Sequence, residues 1–207
     1  MDTHDLLKCL SKQTLGTKII FLGVFCSDQL LTLDILRKKK PNKPFMFISN
    51  TLKTSDPPQT MGHWVAIYCD KTKVVFLDSF GFHPLTYGEY FQKFIDKLER
   101  GNTYAFKEGF QPLNSLTCGL YSIFFVHYTS HYGLRQCIKH TYQNFKPFQK
   151  NQNDVWIKKY FALDLEQSCQ LWLSQDEKAM TYEECMKYKV SFFFPCFYLL
   201  FGFKYNE

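Results

Sequence analysis

One short stretch, residues 111–125, constrains the fold more than any other part of the sequence. Within it, Cys118 is followed at once by Gly119 and then by an apolar run. This order predicts a loop that delivers Cys118 to the first turn of a helix, which then enters the core. A first helical turn offers unpaired backbone N–H groups and the positive end of the helix dipole. Both favour a thiolate, so Cys118 is a candidate nucleophile.

The length of 207 residues fits a single domain, residues 1–207. A formal net charge of +6 is mild and permits a polyanionic partner without requiring one. The densest basic cluster ends a predicted helix and consists of Arg37, Lys38, Lys39 and Lys40. Two interpretations stay open for this cluster. It is either a solvated helix C-terminus, which the dipole favours, or a nucleic-acid contact that binds the phosphate backbone.

Eight cysteines are scattered along the chain without a C-x-x-C pair. The N-terminus does not have the pattern of a signal peptide, so we expect reduced thiols in a protein that is not secreted. A disulfide framework is the alternative. His127 and His131 have metal-ligand spacing on a helix, but no second ligand pair matches them, and the sequence predicts no metal site.

Apolar periodicity and end signals predict an alternation of helices and strands. Helices are expected over 2–13, 29–40, 86–98, 118–132 and 137–145, and from a cap at Asn153 or Asp154. Strands are expected over 45–49, 63–69, 74–80 and 104–110. The stretch 190–203 is nearly all apolar but shorter than the roughly 20 residues of a membrane span. We expect a core element there rather than a transmembrane helix, with a tail that docks on a partner or a membrane surface as the alternative.

A hairpin between the second and third predicted strands supplies candidate partners for Cys118. A two-residue turn at Lys71 and Thr72 would set Val65 opposite Asp78. His63 and Asp78 are then diagonal neighbours on one face, about 7–8 Å apart at the backbone. A histidine and a carboxylate at the end of an otherwise apolar face point to a function.

These residues fit nucleophilic catalysis. His63 would take the proton of Cys118 or pair with its thiolate, and Asp78 would orient His63. The side-chain amide of Gln111 and the N–H of Cys118 would bind an oxyanion. Asp70, in the turn, is a rival orienter and His83, in a loop, is a rival base. A cysteine with a remote histidine and aspartate also occurs by chance, so the residues alone leave the triad a hypothesis.

Three motifs in order carry a resemblance to a known family. They are Gly62-His63-Trp64-Val-Ala-Ile-Tyr, Phe76-Leu-Asp78-Ser-Phe-Gly-Phe82 and Gln111-Pro-Leu-Asn-Ser-Leu-Thr-Cys118-Gly-Leu. In motif and order they resemble the adenovirus endopeptidase (adenain) family over roughly residues 15–130. The order His, acid, Gln, Cys is also that of SUMO-deconjugating proteases of the same clan.

The resemblance implies an α+β, papain-like cysteine protease fold in permuted order, with a central mixed sheet flanked by helices. It implies a viral thiol protease that cleaves precursor and capsid proteins at Gly-containing sites during virion maturation. By position, Cys118 is the nucleophile, His63 the base, Asp78 the orienter and Gln111 the oxyanion donor. Trp64 and Gly119 would line the substrate groove, although Trp64 could also be plain core.

The resemblance also bears on partners. The chemistry requires no cofactor, while the family implies an activating peptide and DNA. This chain has Asp78 where adenovirus enzymes usually carry Glu, and no cysteine between Lys73 and Thr117 for a peptide disulfide. We therefore expect a divergent viral member that acts as a monomer in the host nucleus or cytoplasm and in the virion. The alternatives are a deconjugase of ubiquitin-like modifiers and a non-enzymatic nucleic-acid or capsid-binding protein.

Overall fold

The computed structural model describes residues 6–7, 9–10, 14, 17–33, 43–57, 60–97 and 101–164. The basic cluster at 37–40 and the apolar stretch 190–203 lie outside the described residues. Most of the helices predicted over 2–13 and 29–40 lie outside them as well. Leu6 and Leu10 are helical and fully buried, as the first of these predictions requires at those positions.

A five-stranded sheet forms the centre of the described part of the chain. Its strands follow one another in sequence order across the sheet. The two outer pairs, β1–β2 and β4–β5, are parallel, and the two inner pairs are antiparallel, so the sheet is mixed. The strands are β1 (Ile20–Phe25), β2 (Phe45–Asn50), β3 (Trp64–Cys69), β4 (Lys73–Leu77) and β5 (Gly101–Tyr104).

Helices flank this sheet and make the described fold α+β, as predicted. Two are short 3-10 helices, Ser27–Thr32 and Pro84–Tyr87. The α-helices are α1 (Glu89–Lys97), α2 (Cys118–Tyr132), α3 (Leu134–Asn144) and α4 (Lys150–Asp164). The predicted strand at 45–49 and the predicted helix over 118–132 are confirmed.

Both faces of the sheet are buried, because helices cover each of them. One face packs against α1 through an apolar cluster that includes Val65, Ile67, Phe76, Phe91 and Phe94. The other packs against α2, α3 and α4 through a larger cluster that includes Ala66, Leu77, Leu120, Phe124, Phe145 and Phe161. The inner strands therefore read as continuous apolar runs rather than as an alternation of polar and apolar residues.

Helix α2 lies in this larger cluster and is buried around most of its circumference. A helix that is apolar on every side belongs in a core. It ends at Tyr132, and Gly133 follows with a φ of 86°, which is easily adopted only by glycine. Near its start, the Ser122 hydroxyl donates to the Trp64 carbonyl at 3.1 Å. This bond fixes the first turn of α2 against the start of β3.

Four predicted boundaries are wrong, and side-chain hydrogen bonds account for two of them. One of the others is the start of α3, which lies at Leu134 rather than at residue 137. Strand β4 ends at Leu77 rather than residue 80, because the Asp78 carboxylate accepts the N–H groups of Phe80 and Phe82 and so forms a turn. Helix α4 begins at Lys150, so Asn153 does not cap it. The Asn153 side chain instead accepts the Lys146 N–H and donates to the Phe110 carbonyl. The strand expected over 104–110 is replaced by β5 and an irregular segment.

The start predicted for the helix over 86–98 is also wrong. Thr86 lies inside the 3-10 helix Pro84–Tyr87, where His83 accepts the Leu85 N–H and so acts as the cap. Gly88, with φ of 96°, then breaks the path before Glu89 begins α1. Proline at the first position and a local cap favour the short helix over one continuous helix.

Two further observations concern thiols and membranes. Cys26, Cys69, Cys118 and Cys137 are free thiols, whereas Cys9 is disulfide-bonded, so the expectation of reduced thiols is wrong at Cys9.

Across the described ranges, no helix combines the length and the apolar character that crossing a bilayer requires.

Candidate active site

Sheet topology brings His63 and Asp78 together. His63 immediately precedes β3 and Asp78 immediately follows β4. The two strands are antiparallel with Ile67 opposite Phe76 and Cys69 opposite Val74, which is the predicted register. The start of one strand and the end of the other therefore lie at the same edge. There, Nε2 of His63 is 2.6 Å from Oδ1 of Asp78.

The carboxylate of Asp78 is held from several directions. In addition to His63, it accepts the Tyr87 hydroxyl at 2.6 Å and the N–H groups of Phe80 at 3.0 Å and Phe82 at 2.9 Å. Asp78 is only 2% exposed. With donors on both oxygens, the carboxylate cannot turn away from His63. Burial, followed by the charge of Asp78, raises the pKa of Tyr87 far above its ordinary value, so Tyr87 remains a donor.

The ring of His63 is also fixed. It stacks on Phe80 with centroids 4.1 Å apart and planes 18° apart. The backbone N–H of His63 donates to the Thr51 hydroxyl at 2.9 Å. Since Nε2 faces Asp78, the second ring nitrogen, Nδ1, is the one available for proton transfer. Nδ1 is buried and has no hydrogen bond of ordinary geometry within the described ranges.

The pKa of His63 depends on its burial and on interactions with Asp78 and Cys118. Burial alone would lower the pKa of His63. The hydrogen bond to Asp78 and its negative charge, with a further favourable interaction from Cys118, outweigh burial and raise the pKa of His63 to about 9. At neutral pH the imidazole is therefore held in its cationic form.

The start of α2 leaves its N–H groups available at Cys118. Cys118 is the first residue of the helix and is partly exposed. Thr117, at the N-cap, gives no side-chain cap to α2. Its hydroxyl is used elsewhere, 2.9 Å from Oδ1 of Asp154. The first N–H groups of a helix have no partner within it, so those at Cys118 can donate to an anion on the thiol side.

Gln111 is fully buried and joined to the loop that precedes Cys118. Its Oε1 accepts the Ser79 hydroxyl at 2.6 Å, and its Nε2 donates to the Ser115 carbonyl at 2.9 Å. A side-chain amide nitrogen carries two hydrogens, and Ser115 takes one. Within the described ranges, the second has no acceptor.

The cysteine loop is anchored by a carboxylate that is distant in sequence. Asp154, on α4, accepts hydroxyls from Ser115, from Thr117 at 2.9 Å and from Tyr121 at 3.0 Å. From the sequence, Asp154 is predicted only as a helix cap. Nothing in the local pattern connects it to Cys118, because the connection depends on how α4 packs against α2.

The sequence predicts four other residues for substrate binding or catalysis. Trp64 is half-buried and packs against the cluster around α2, and Gly119 is buried in the first turn of α2. Their part in substrate binding remains a prediction. Asp70 binds the backbone of Thr72 and Lys73 in the hairpin turn. The rival orienter therefore has a local structural role, and so does His83, the cap described above.

His127 and His131 have rings 4.6 Å apart on α2. Within the part of the chain that the structure describes, no group of three or more His, Cys, Asp or Glu side chains is arranged to hold a metal ion.

Large apolar side chains are exposed in the segments that carry the site. They lie just before His63, in the turn after Asp78 and the 3-10 helix that follows it, and between Gln111 and Cys118. The set consists of Met61, Phe82, Leu85, Leu113 and Leu116.

The sequence did not indicate a role for Tyr87. A variant without its hydroxyl tests that role directly. Tyr87→Phe removes a hydrogen bond to the buried Asp78 carboxylate. Such a bond contributes about 1.5–3 kcal/mol, and we expect the free energy of unfolding to fall by that amount. Urea unfolding measures the change. Tyr142→Phe is the matched control, because its hydroxyl bonds the neutral Ala105 carbonyl at 3.1 Å on the exposed surface. Equal losses in the two variants would contradict the role of Tyr87.

Comparisons with known proteins identify no family for this chain. No protein family matches the chain, and no curated protein matches its sequence. Twelve chains of known structure match. One, described as "AvrA delL154 with IP6, CoA", is 12% identical with a TM-score of 0.40, and the match covers 69% of this chain and 48% of that one. This chain thus spans about half the length of that structure.

Proposed function

We propose that this chain is a cysteine endopeptidase with a papain-like fold in permuted order. The observation that carries the proposal is the 2.6 Å pair of His63 and Asp78, whose titration is influenced by Cys118 at the N-terminus of a buried helix. A cysteine, a histidine and an orienting acid in one site constitute the machinery of nucleophilic acyl transfer. The resemblance to the adenovirus endopeptidase family, which rests on the motifs around these residues, points to peptide bonds.

Acylation follows from the positions of the groups. The Cys118 thiolate attacks the carbonyl carbon of the scissile bond, and the electron pair of the C=O bond moves to its oxygen. The N–H of Cys118 and the second hydrogen on Nε2 of Gln111 donate to that oxygen. His63 then gives the proton on Nδ1 to the leaving amine, the C–N bond breaks, and a thioester on Cys118 remains.

Deacylation uses the same groups in reverse order. Neutral His63 removes a proton from water through Nδ1, and the resulting hydroxide attacks the thioester carbon. The oxyanion again forms against Cys118 and Gln111. Collapse expels the Cys118 thiolate and releases the carboxylic acid. Asp78 keeps Nε2 protonated throughout, so that Nδ1 always faces the reacting atoms.

The resemblance extends this proposal to substrate and setting. It implies cleavage of viral precursor and capsid proteins at Gly-containing sites, with Trp64 as a wall of the groove and Gly119 beside it. It also implies DNA and an activating peptide as partners of a monomer in the infected nucleus or cytoplasm and in the virion. This chain departs from that family in two respects. It has no cysteine between Lys73 and Thr117, and it has Asp78 where the family usually has Glu.

A second candidate is a deconjugase of ubiquitin-like modifiers. The identity of the acid favours it, because Asp78 stands where those enzymes carry aspartate. The two candidates use the same chemistry and differ in what occupies the groove. A folded modifier with an extended C-terminus would replace an extended segment of a precursor.

A substrate panel tests both candidates with the purified full chain. Internally quenched peptides with Gly at the cleavage position are compared with matched peptides that carry Val there. Fluorogenic derivatives of ubiquitin and SUMO C-termini form the second set. We expect turnover of the Gly peptides at least about 10-fold above the Val peptides, since an extra side chain in a narrow site is rejected by about this factor. Turnover confined to the modifier set would establish the second candidate, and turnover of neither set would overturn both.

A further inference from the structure

Ser79 stands next to Asp78 but points its hydroxyl at a different part of the site. It is 1% exposed, and its hydroxyl donates to Oε1 of Gln111 at 2.6 Å. Its carbonyl accepts two further hydrogen bonds, from the N–H groups of Phe110 at 2.8 Å and Gln111 at 3.1 Å. One residue therefore holds both the backbone and the side chain of Gln111.

The backbones of the two loops involved approach each other closely. A Cβ on Gly109 would lie 2.3 Å from the Phe80 carbonyl oxygen, and one on Gly81 would lie 2.6 Å from the Glu108 carbonyl carbon. Contacts under 3.0 Å with backbone atoms leave no room for a side chain. The turn that carries Asp78 and Ser79 is thus packed directly on the segment that leads to Gln111.

The direction of the Gln111 amide is fixed by its partners. The Ser115 carbonyl can only accept, so the nitrogen of the amide must face Ser115. The oxygen of the amide then faces Ser79, whose hydroxyl must donate. If this amide turned over, an oxygen would face the Ser115 carbonyl and the second Nε2 hydrogen would be lost from its present position.

We propose that Ser79 is a positioning residue that holds the Gln111 amide with its nitrogen available to the oxyanion. The inference rests on the proposed cysteine protease function and deepens it. A single turn, residues 78–82, then serves two purposes, because Asp78 orients the base while Ser79 orients the oxyanion donor. Ser79 itself touches no reacting atom.

Ser79→Ala tests the proposal because it should slow peptide hydrolysis without changing the alkylation of Cys118. Losing an oxyanion donor costs about 10²–10³ in rate, and losing only its orientation costs less, so we expect kcat to fall about 10- to 100-fold with KM within about twofold. The rate at which iodoacetamide alkylates Cys118 should not change, because displacement of iodide places no negative charge on a substrate oxygen. A general disruption of the site would slow both reactions together.

A peptide aldehyde supplies the complementary measurement. Its carbonyl carbon forms a bond to the Cys118 sulfur, the C=O electron pair moves to the oxygen, and that oxygen is held where the oxyanion forms. Ser79→Ala should therefore weaken aldehyde binding by about the same factor as kcat. Ser79→Thr, which keeps the hydroxyl, should restore both. Thr141→Val is the matched control, since it removes a buried hydroxyl that donates to the Cys137 carbonyl on α3.

A double-mutant cycle tests the proposal even if the Ser79→Thr variant does not fold. If Ser79 acts through Gln111, Ser79→Ala should cost nothing further in a Gln111→Ala background. An undiminished further loss there, an unchanged kcat in Ser79→Ala alone, or equal slowing of alkylation and hydrolysis would each overturn the proposal.

The side-chain amide resonances of Gln111 give a readout that needs no turnover. We expect slow hydrogen exchange in the wild-type chain and at least about tenfold faster exchange in Ser79→Ala, because a buried hydrogen-bonded amide exchanges only through opening. Unchanged exchange would overturn the positioning role. Absence of hydrolysis by the wild-type chain, with the exchange difference intact, would instead count against the proposed function.

Discussion

Replacing Cys118 with alanine should abolish peptide hydrolysis. Removing the nucleophile of a triad lowers kcat by about 10⁶-fold, because no other group at the site can form the covalent intermediate. The His63–Asp78 pair would remain, but alanine has no lone pair to attack the carbonyl. The measurement is turnover of the Gly-containing peptides, and the folded state is checked by urea unfolding. Cys118→Ser should be nearly as inactive, since a serine hydroxyl is far less acidic than a thiol.

Chemical labelling tests the same residue without a substrate. Cys118 is partly exposed, whereas Cys26, Cys69 and Cys137 are buried free thiols. Burial raises the pKa of Cys137 to about 12, so that thiol stays protonated and unreactive. Iodoacetamide should modify Cys118 first among these four, as mass spectrometry of the digested protein would show. Cys137→Ala is the control that keeps activity. Rapid modification of Cys137 with Cys118 unlabelled would overturn the assignment.

The hairpin that carries His63 and Asp78 could be predicted because its register depends on local chemistry. The turn residues Asp70 and Thr72 bond each other, and two continuous apolar runs flank them. Given the turn, a period of two fixes every opposed pair. The helix that begins at Cys118 could be predicted equally well, because a long apolar run ended by Gly133 has few alternative structures.

The other hydrogen bonds that hold the site could not be predicted from the sequence, because they do not depend on local chemistry. Tyr87, Ser79 and Asp154 act on residues in other elements, over sequence separations of 9, 32 and 37. No periodicity or spacing encodes such pairs, because they depend on how loops and helices pack in three dimensions. The end of β4 was misplaced for a related reason. Phe80 is apolar and β-prone, yet the Asp78 side chain captures its N–H and bends the backbone away from the sheet.

The second large effect is expected from Asp78→Asn. Asp78 accepts four hydrogen bonds, and all four donors must meet an acceptor. The amide of asparagine has one acceptor oxygen. If that oxygen faces Tyr87 and Phe82, its NH₂ group faces Nε2 of His63. Imidazole would then carry its proton on Nδ1 and accept at Nε2, the wrong tautomer for taking a proton on the Cys118 side. A comparable change in a serine protease lowers kcat by about 10⁴-fold.

The same variant should alter how the site responds to pH. The negative charge and hydrogen bond of Asp78 help raise the pKa of His63 from 6.5 to about 9, so removing them lowers it. In the wild-type chain the cationic imidazole persists until the pH approaches about 9, and the alkaline limb of kcat/KM should lie there. In Asp78→Asn that limb should move to lower pH by at least about one unit, as NMR titration of His63 would report directly.

Stability provides the independent check, and its sign follows from the direction of the shift. The pKa of His63 is higher in the folded chain than its ordinary value of 6.5, so the folded state binds the proton more tightly. The resulting stabilisation, on the order of 3 kcal/mol, is fully present below about pH 6.5 and disappears as the pH rises through about 9. The difference in unfolding free energy between wild type and Asp78→Asn should therefore shrink over that range. A difference that grows with pH would mean that His63 is not held as a cation by Asp78, and the proposed ion pair with Cys118 would lose its basis.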